Sequence, residues 1–352
     1  MILGNVEITN NLPESLGRFF SVQSYSKVAV LVDENTRQHC YPKVAAHLPG
    51  HSVIEIKSGE EEKTLRTCEH IWNELTKLEC DRKALLINLG GGVIGDMGGF
   101  CAATYKRGIK FLNLPTTLLA QVDASVGGKL GIDFHGLKNH IGVFQEPERV
   151  IVSSDFLATL PEREVRSGFA EVLKHALIAD GRYWKTLTAK TFGEQHWNDH
   201  IQHSIEVKSG VVDKDPKENG LRKILNFGHT IGHAIETALL DSGNRLLHGE
   251  AIAIGMIAEA YLSTKKTGLS QGSYKEITQY LLATYRPEQV SELTIKKAEG
   301  LILQDKKNEK ATIKGSLLSA IGQSEYDVII TLGEVREALT EFNSVVNLSS
   351  AK

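Results

Sequence analysis

Ala84-Leu-Leu-Ile-Asn-Leu-Gly90-Gly-Gly92-Val-Ile-Gly95-Asp96 is an apolar run that breaks on three glycines and continues beyond them. Six residues without a charge read as a buried strand, and the glycines read as the turn that leaves it. Lys27-Val-Ala-Val-Leu-Val-Asp33 is a second β-branched run, ending in an acid. Phe111 to Leu114 and Arg149 to Val152 look like further strands, each bounded by glycine or proline. A helical stretch from Glu61 to Leu78 follows the Ser58-Gly-Glu turn. Strands alternating with helices imply a parallel sheet covered on both faces.

Beyond Leu160-Pro161 the character changes. Glu162 to Ile178, Ile201 to Val212, Ile224 to Leu240 and Gly249 to Thr264 carry helical periodicity, with few strand signals. The expected architecture is α/β: an N-terminal Rossmann-like nucleotide-binding domain, residues 1–161, then a mostly α-helical domain, residues 162–352. The polar residues from Val346 to Lys352 are expected to fray.

Composition narrows the function classes. With 41% hydrophobic and 24% charged residues the chain has the globular balance, so a sizeable core is expected and disorder is not. A net charge of -3 with no basic block argues against nucleic acid or an anionic membrane as partner. No basic-then-apolar leader opens the chain, and no apolar run nears the ~20 residues of a membrane span. Cys40, Cys68, Cys80 and Cys101 make no CxxC pair and read as buried free thiols, so cytoplasm is the expected location.

Gly90, Gly92 and Gly95 fit GxGxxG after a strand, the arrangement that brings backbone N–H groups to a pyrophosphate. The usual ribose-binding acid about 20 residues later is missing, because that region reads Leu114-Pro-Thr-Thr117. Asp33 stands at the end of another strand and could supply the ribose contact. Dinucleotide binding and a plain tight turn both remain open on this pattern.

Asn226-Phe-Gly-His229-Thr-Ile-Gly-His233-Ala-Ile-Glu236 sets two histidines four apart on one helix face. The residue after the first histidine is Thr230, not the glutamate of zinc peptidases. His248 starts another helix, and Glu171 lies mid-helix among apolar neighbours. Spacing alone picks His229 and His233 as a metal pair, and it does not find Glu171. Lys129, Lys138, Lys174, Lys208 and Arg222 punctuate the chain singly. Cations converging on one cleft would suit a substrate with a phosphate and a carboxylate.

Four blocks in order carry a family resemblance: Gly90 to Asp96, Leu114 to Lys129, Gly168-Phe-Ala-Glu171-Val-Leu-Lys174, and Asn226 to Glu236. Together they resemble 3-dehydroquinate synthase, a sugar phosphate cyclase, over residues from about Asp33 to Gly322. The resemblance implies an NAD-binding α/β domain and a helical metal-binding domain, with the site between them. It implies Glu171, His229 and His248 as ligands of zinc or cobalt, with His233 a site residue rather than a ligand. NAD would meet Asp33, Asn35, Glu60 to Lys63, Gly91, Gly92, Val93, Asp96, Thr116, Thr117, Asp123, Lys129, Lys138 and Asn139. Substrate would meet Lys129, Lys138, Asn139, Lys174, Lys208, Arg222, Asn226, His233 and one of Lys306 and Lys307. Arg107 would enter the partner's site across a homodimer.

The implied reaction converts 3-deoxy-D-arabino-heptulosonate 7-phosphate to 3-dehydroquinate and phosphate. It runs through transient oxidation by NAD, elimination, re-reduction and aldol closure, on the shikimate route to chorismate and aromatic amino acids. Alternatives are another sugar phosphate cyclase or a metal-dependent alcohol dehydrogenase. One segment departs from the family pattern. Lys129-Leu130-Gly131-Ile132-Asp133 lacks the usual threonine and ends in aspartate instead of asparagine, so hydrogen bonding near NAD is expected to differ.

Overall fold

The computed structural model describes residues 1–124, 126–135, 137–240, 242–306 and 312–350, without the side chains of Ala124, Leu137, Gln304, Asp305, Lys306 and Ser350. Its contacts divide the chain into one unit of Met1–Val165 with Trp197–Ser209 and another of Arg166–His196 with Gly210–Lys352.

The first unit is built on β1 (Ile2–Leu3), β2 (Val6–Ile8), β3 (Val28–Asp33), β4 (Ser52–Ile56), β5 (Leu85–Gly90), β6 (Lys110–Pro115) and β9 (Arg149–Val152). They form one sheet in the order β1-β2-β9-β6-β5-β3-β4, parallel except where β1 meets β2. Alternation along the strands explains why both faces are covered. Ala29, Leu31 and Leu86 point to a core with Ile71, Leu75, Met97 and Phe100. Val30, Val32, Leu85 and Ile87 point to the other core, with Leu12, Leu16 and Phe156. Strand β3 lies between β4 and β5, so the chain leaves it on one side and returns on the other. In an open α/β sheet, ligands bind outside the carboxyl ends at such a reversal. Here those ends are Asp33 and Gly90.

β7 (Lys129–Phe134) and β8 (Leu137–Phe144) form a separate antiparallel hairpin, with Leu130 opposite Val143. Leu130 joins the first core, where a side chain at Gly99 would stand 2.4 Å from its Cδ2.

The second unit is helical with one hairpin, β10 (Ile313–Ala320) and β11 (Gln323–Ile330). The four expected strands are present, but the periodicity did not reveal β1, β2, β4 or either hairpin. Two expected helices are interrupted. Glu60–Glu62 is a separate turn before the helix Leu65–Lys77, whose start is capped by Thr64 Oγ1 accepting from Thr67 N at 3.3 Å. Ile224 to Leu240 breaks at Gly228, whose φ of +81° separates the turn Leu221–Asn226 from the helix His229–Leu239. The expected fraying is corrected as far as Ser350, since a helix runs from Leu332 to Ser350 and buries Val335, Leu339, Phe342 and Val346; Ala351 and Lys352 lie outside the described residues. All four cysteines are buried and free, as expected. No helix among the described residues is long and apolar enough to cross a membrane.

Candidate active site and metal centre

In the first unit the glycine run turns the chain from strand to helix. Gly90 ends β5, Gly91 is the N-cap without a side-chain cap bond, and Gly92–Thr104 is the helix, so the helix starts at the carboxyl end of β5. A helix N-terminus without a side-chain cap is a ready anion site. Thr116 N donates to Gly90 O at 3.0 Å, and Thr117 Cγ2 would stand 3.1 Å from a side chain at Gly91. The two threonines therefore line the turn.

Around it runs a polar network. Lys63 is buried and donates to Asp96 Oδ2 and to Asn139 Oδ1, each at 2.6 Å. Burial opposes its charge, but Asp96 and Glu60 outweigh burial and hold its pKa above the ordinary lysine value. Lys138 pairs with Glu60 at 3.6 Å. Asp133 N donates to Lys63 O at 2.9 Å, and Asn139 N donates to Asp133 Oδ1 at 2.8 Å. Asp133 thus makes its contact through an oxygen that asparagine also has, and the departure adds charge rather than a new bond. Burial pushes its carboxyl up.

Lys208 donates to Asp123 O at 2.6 Å and pairs with Asp123 Oδ1 at 2.8 Å. Asp33 caps the helix Glu34–His39, its Oδ1 accepting from Thr36 N at 2.7 Å. Asn35 on that helix is exposed, Val93 is half-buried in the first turn after the glycines, and Lys129 opens β7 exposed. Arg107 is exposed and follows Lys106 with positive φ at both, 67° and 50°, beyond the helix Gly92–Thr104.

In the second unit three helices converge: Glu162–Ala179, His229–Leu239 and His248–Lys266. Glycines permit the approach. A side chain at Gly255 would lie 1.9 Å from Gly228 O, and one at Gly249 would lie 1.9 Å from Ser167 O. Ser167 Oγ in turn accepts from Gly249 N at 2.9 Å and caps the His248 helix. The result brings Glu171 Oε1 within 3.4 Å of His229 Nε2 and 3.5 Å of His248 Nε2. Ring nitrogens of His229, His233 and His248 lie within 4.8 Å of one another.

The other nitrogen of each Glu171-facing ring is also held. His229 Nδ1 lies 3.1 Å from Phe227 O, and His248 Nδ1 lies 3.4 Å from Glu236 Oε2. A Nδ1–H held in this way leaves Nε2 as the donor lone pair, the usual arrangement behind a metal-ligating histidine. Glu171 is 0% exposed, and among the described residues neither carboxylate oxygen has a well-aligned hydrogen-bond donor. Burial opposes its charge, but Lys174, which pairs with it, and His229 hold the carboxyl well below the usual range. Burial and Lys174 depress His229, whereas Glu171 and Glu236 overcome burial to lift His248 to about 9. A buried carboxylate and imidazole nitrogens are a donor set that zinc or cobalt accepts. The residues present therefore fit a divalent ion.

Arg222 and Asn226 sit on the turn before the His229 helix. Asp215 accepts from Asn219 N, Gly220 N and Arg222 N at 2.7–3.0 Å, which fixes that turn and lowers the Asp215 pKa. Arg222 is buried and Nη1 donates to Pro216 O at 2.7 Å; Asn226 Nδ2 donates to Glu218 Oε1 at 2.9 Å. Lys307 and the Lys306 side chain lie outside the described residues. Sequence reasoning missed Ser167, Asp215 and Glu218, and gave Glu236 no role. Only the last had a usable signal, a carboxylate one turn beyond His233.

Models of the 3-dehydroquinate synthase N-terminal and C-terminal regions match residues 53–167 and 168–308. A 3-dehydroquinate synthase from Parabacteroides distasonis is 38% identical over 341 residues, 95% of this chain and 96% of that protein. The chain belongs to the 3-dehydroquinate synthase family. Membership makes it an enzyme, and the four motif blocks lie within the matched residues. Two solved structures share its fold at 23% identity. One is a 2-epi-5-epi-valiolone synthase from Streptomyces hygroscopicus with NAD+ and Zn2+ bound, with a TM-score of 0.86 and 98% of each chain covered. The other is a 2-deoxy-scyllo-inosose synthase complexed with carbaglucose-6-phosphate, NAD+ and Co2+, with a TM-score of 0.83 and 96% of each covered. At that identity they speak for the α/β and helical architecture of the family alone.

Proposed function

We propose that the chain converts 3-deoxy-D-arabino-heptulosonate 7-phosphate to 3-dehydroquinate and phosphate, using NAD and a divalent metal. The observation that carries this reading is the approach of Glu171 Oε1 to Nε2 of both His229 and His248, in a chain matched over 95% of its length by a synthase of that name. Glu171, His229 and His248 are the proposed ligands; His233 is left to face substrate. A bound zinc or cobalt ion supplies Lewis-acid polarisation of a substrate hydroxyl. Bound NAD supplies a hydride acceptor regenerated within the turnover, so the overall reaction is redox-neutral.

The chain's own residues do the remaining work. Phe227 O and Glu236 hold the two ligand rings, and Lys174 keeps Glu171 ionised. The Gly91–Asp96 turn and Thr116-Thr117 receive the dinucleotide, while Lys63 fixes Asp96 and Asn139 beside it. Arg222, held by Pro216 O, offers a guanidinium to the substrate carboxylate, with Asn226 nearby. We read residues 1–161 as the nucleotide-binding domain and 162–352 as the metal- and substrate-binding domain. We place the enzyme in the cytoplasm as a homodimer, with Arg107 lent to the partner's site.

The test is product analysis with purified protein, zinc and catalytic NAD. Many turnovers to 3-dehydroquinate without accumulating NADH support the reading, and stoichiometric NADH or preference for sedoheptulose 7-phosphate refutes it. Chelator treatment should abolish turnover, with zinc or cobalt restoring it.

A further inference from the structure

Glu259 lies on the His248 helix, eleven residues after His248, and is 0% exposed. Its Oε2 accepts from Gly228 N at 2.7 Å and its Oε1 from Ile231 N at 3.0 Å, with Thr230 N also bonding to it. No lysine, arginine or histidine pairs with it among the described residues. Burial pushes its carboxyl up to about 8, and the amides at the start of the His229 helix, where a helix terminus favours an anion, work against that rise. The local sequence cannot supply that cap, because the N-cap position is Gly228, in the left-handed region and without a side chain.

The bond to Gly228 N has a specific consequence. Gly228 N and Phe227 O belong to one peptide group, and Phe227 O is the atom that holds His229 Nδ1. An oxygen accepting from the N–H side of a peptide polarises its carbonyl into a stronger acceptor. Glu236 backs His248 directly, at 3.4 Å from Nδ1. Glu259 backs His229 one peptide removed.

Resting on the metal reading above, we propose that Glu259 is a positioning residue of the metal centre, holding and polarising the Phe227–Gly228 peptide that orients His229. The same helix then sets both histidines: His248 is its first residue, and Glu259 fixes the start of the helix that carries His229. A neutral cap would satisfy the amides. Only an acceptor at both oxygens fixes the peptide before His229 and the amides after it together.

The discriminating variant is Glu259→Gln, which keeps the volume but turns one oxygen into a donor facing an amide. Outer-shell partners of metal ligands typically affect affinity 10–100-fold. Zinc affinity of E259Q, titrated against a chelating dye, is expected to fall within that range. The visible absorption of the cobalt-loaded variant should shift, a readout that a purely structural loss would not move. A folded E259Q with wild-type zinc affinity and an unchanged cobalt spectrum overturns the proposal. Failure of wild type to bind zinc at all would overturn the metal reading together with it.

Should E259Q not accumulate as folded protein, hydrogen exchange in the wild type carries the test. The Phe227–Ile231 amides of metal-free enzyme should be protected as fully as with zinc. Protection that appears only on adding zinc would mean that the metal organises this turn, and would overturn the role of Glu259.

Discussion

Gly249→Ala probes the contact that joins the Glu171 helix to the His248 helix. The new methyl would stand 1.9 Å from Ser167 O and 2.6 Å from Ser167 C, both backbone atoms that no rotamer change can remove. Real Cβ contacts essentially never fall below 3.0 Å, so the helices must separate by about 1 Å or more. Ser167 is one turn before Glu171 and Gly249 adjoins His248, so that displacement passes directly into the 3.5 Å approach of Glu171 to His248. Metal–ligand distances tolerate only about 0.2 Å. Overpacking of this kind costs about 1–3 kcal/mol of stability. Loss of the Ser167 cap on Gly249 N costs about 0.5–2 kcal/mol more. The expected phenotype is a folded but less stable protein whose zinc affinity falls at least ~10-fold. At saturating zinc, kcat/KM should fall about 100-fold, as a 1 Å misplacement commonly does. Dye-competition titration and steady-state kinetics read the two effects separately. A folded G249A with wild-type zinc affinity and wild-type kcat/KM would refute the claim that this contact sets the ligand geometry.

Arg222→Ala should lower kcat/KM by at least ~30-fold, because truncating one partner of a buried charge pair costs about 2–5 kcal/mol. Zinc content and NAD affinity should stay at wild type, and near-normal efficiency would remove the carboxylate role. Gly17 and Gly300 sit exposed inside helices with nothing within 4 Å of a built Cβ, so each change to alanine should stabilise by about 0.5–1 kcal/mol in urea titration. A loss of stability at both would contradict the open space. Asp133→Asn should show a pH-dependent gain. A carboxyl raised by burial lets the folded state bind its proton more tightly, so stability falls as pH rises through the raised value. Denaturant midpoints of variant and wild type should coincide at pH below the usual carboxylate range and diverge toward pH 7 in favour of the variant. A constant difference across that window would exclude the carboxyl as its source.

The sheet was legible where strands are buried on both faces, since β3, β5, β6 and β9 read as unbroken apolar runs. The hairpins were not legible. β7 contains Gly131 and begins on Lys129, and β10 contains Gly315 among lysine and serine, so neither shows a clean alternation. The helix boundary at Gly228 was hidden because the apolar periodicity continues across it, and only the sign of φ breaks the run. At the site, spacing could pair His229 with His233, because i, i+4 geometry is local. It could not reach Glu171, whose approach depends on glycine contacts between separate helices. The family resemblance supplied that residue, whereas Ser167 and Glu259 act on backbone amides and leave no side-chain pattern for a sequence to display.

The closeness of Gly228 and Gly232 to Gly255 bears on the order in which the molecule assembles. These contacts join residues fewer than thirty apart, and closing a short loop costs little chain entropy. The His229–His248 hairpin is therefore expected to be formed in the folding transition state, whereas the Glu171 helix, about eighty residues before Gly249, docks afterwards. Gly255→Ala should then mainly slow refolding and Gly249→Ala mainly hasten unfolding, and the two arms of a denaturant chevron would tell them apart. Two of the three proposed ligands would thus be set beside one another before the carboxylate arrives.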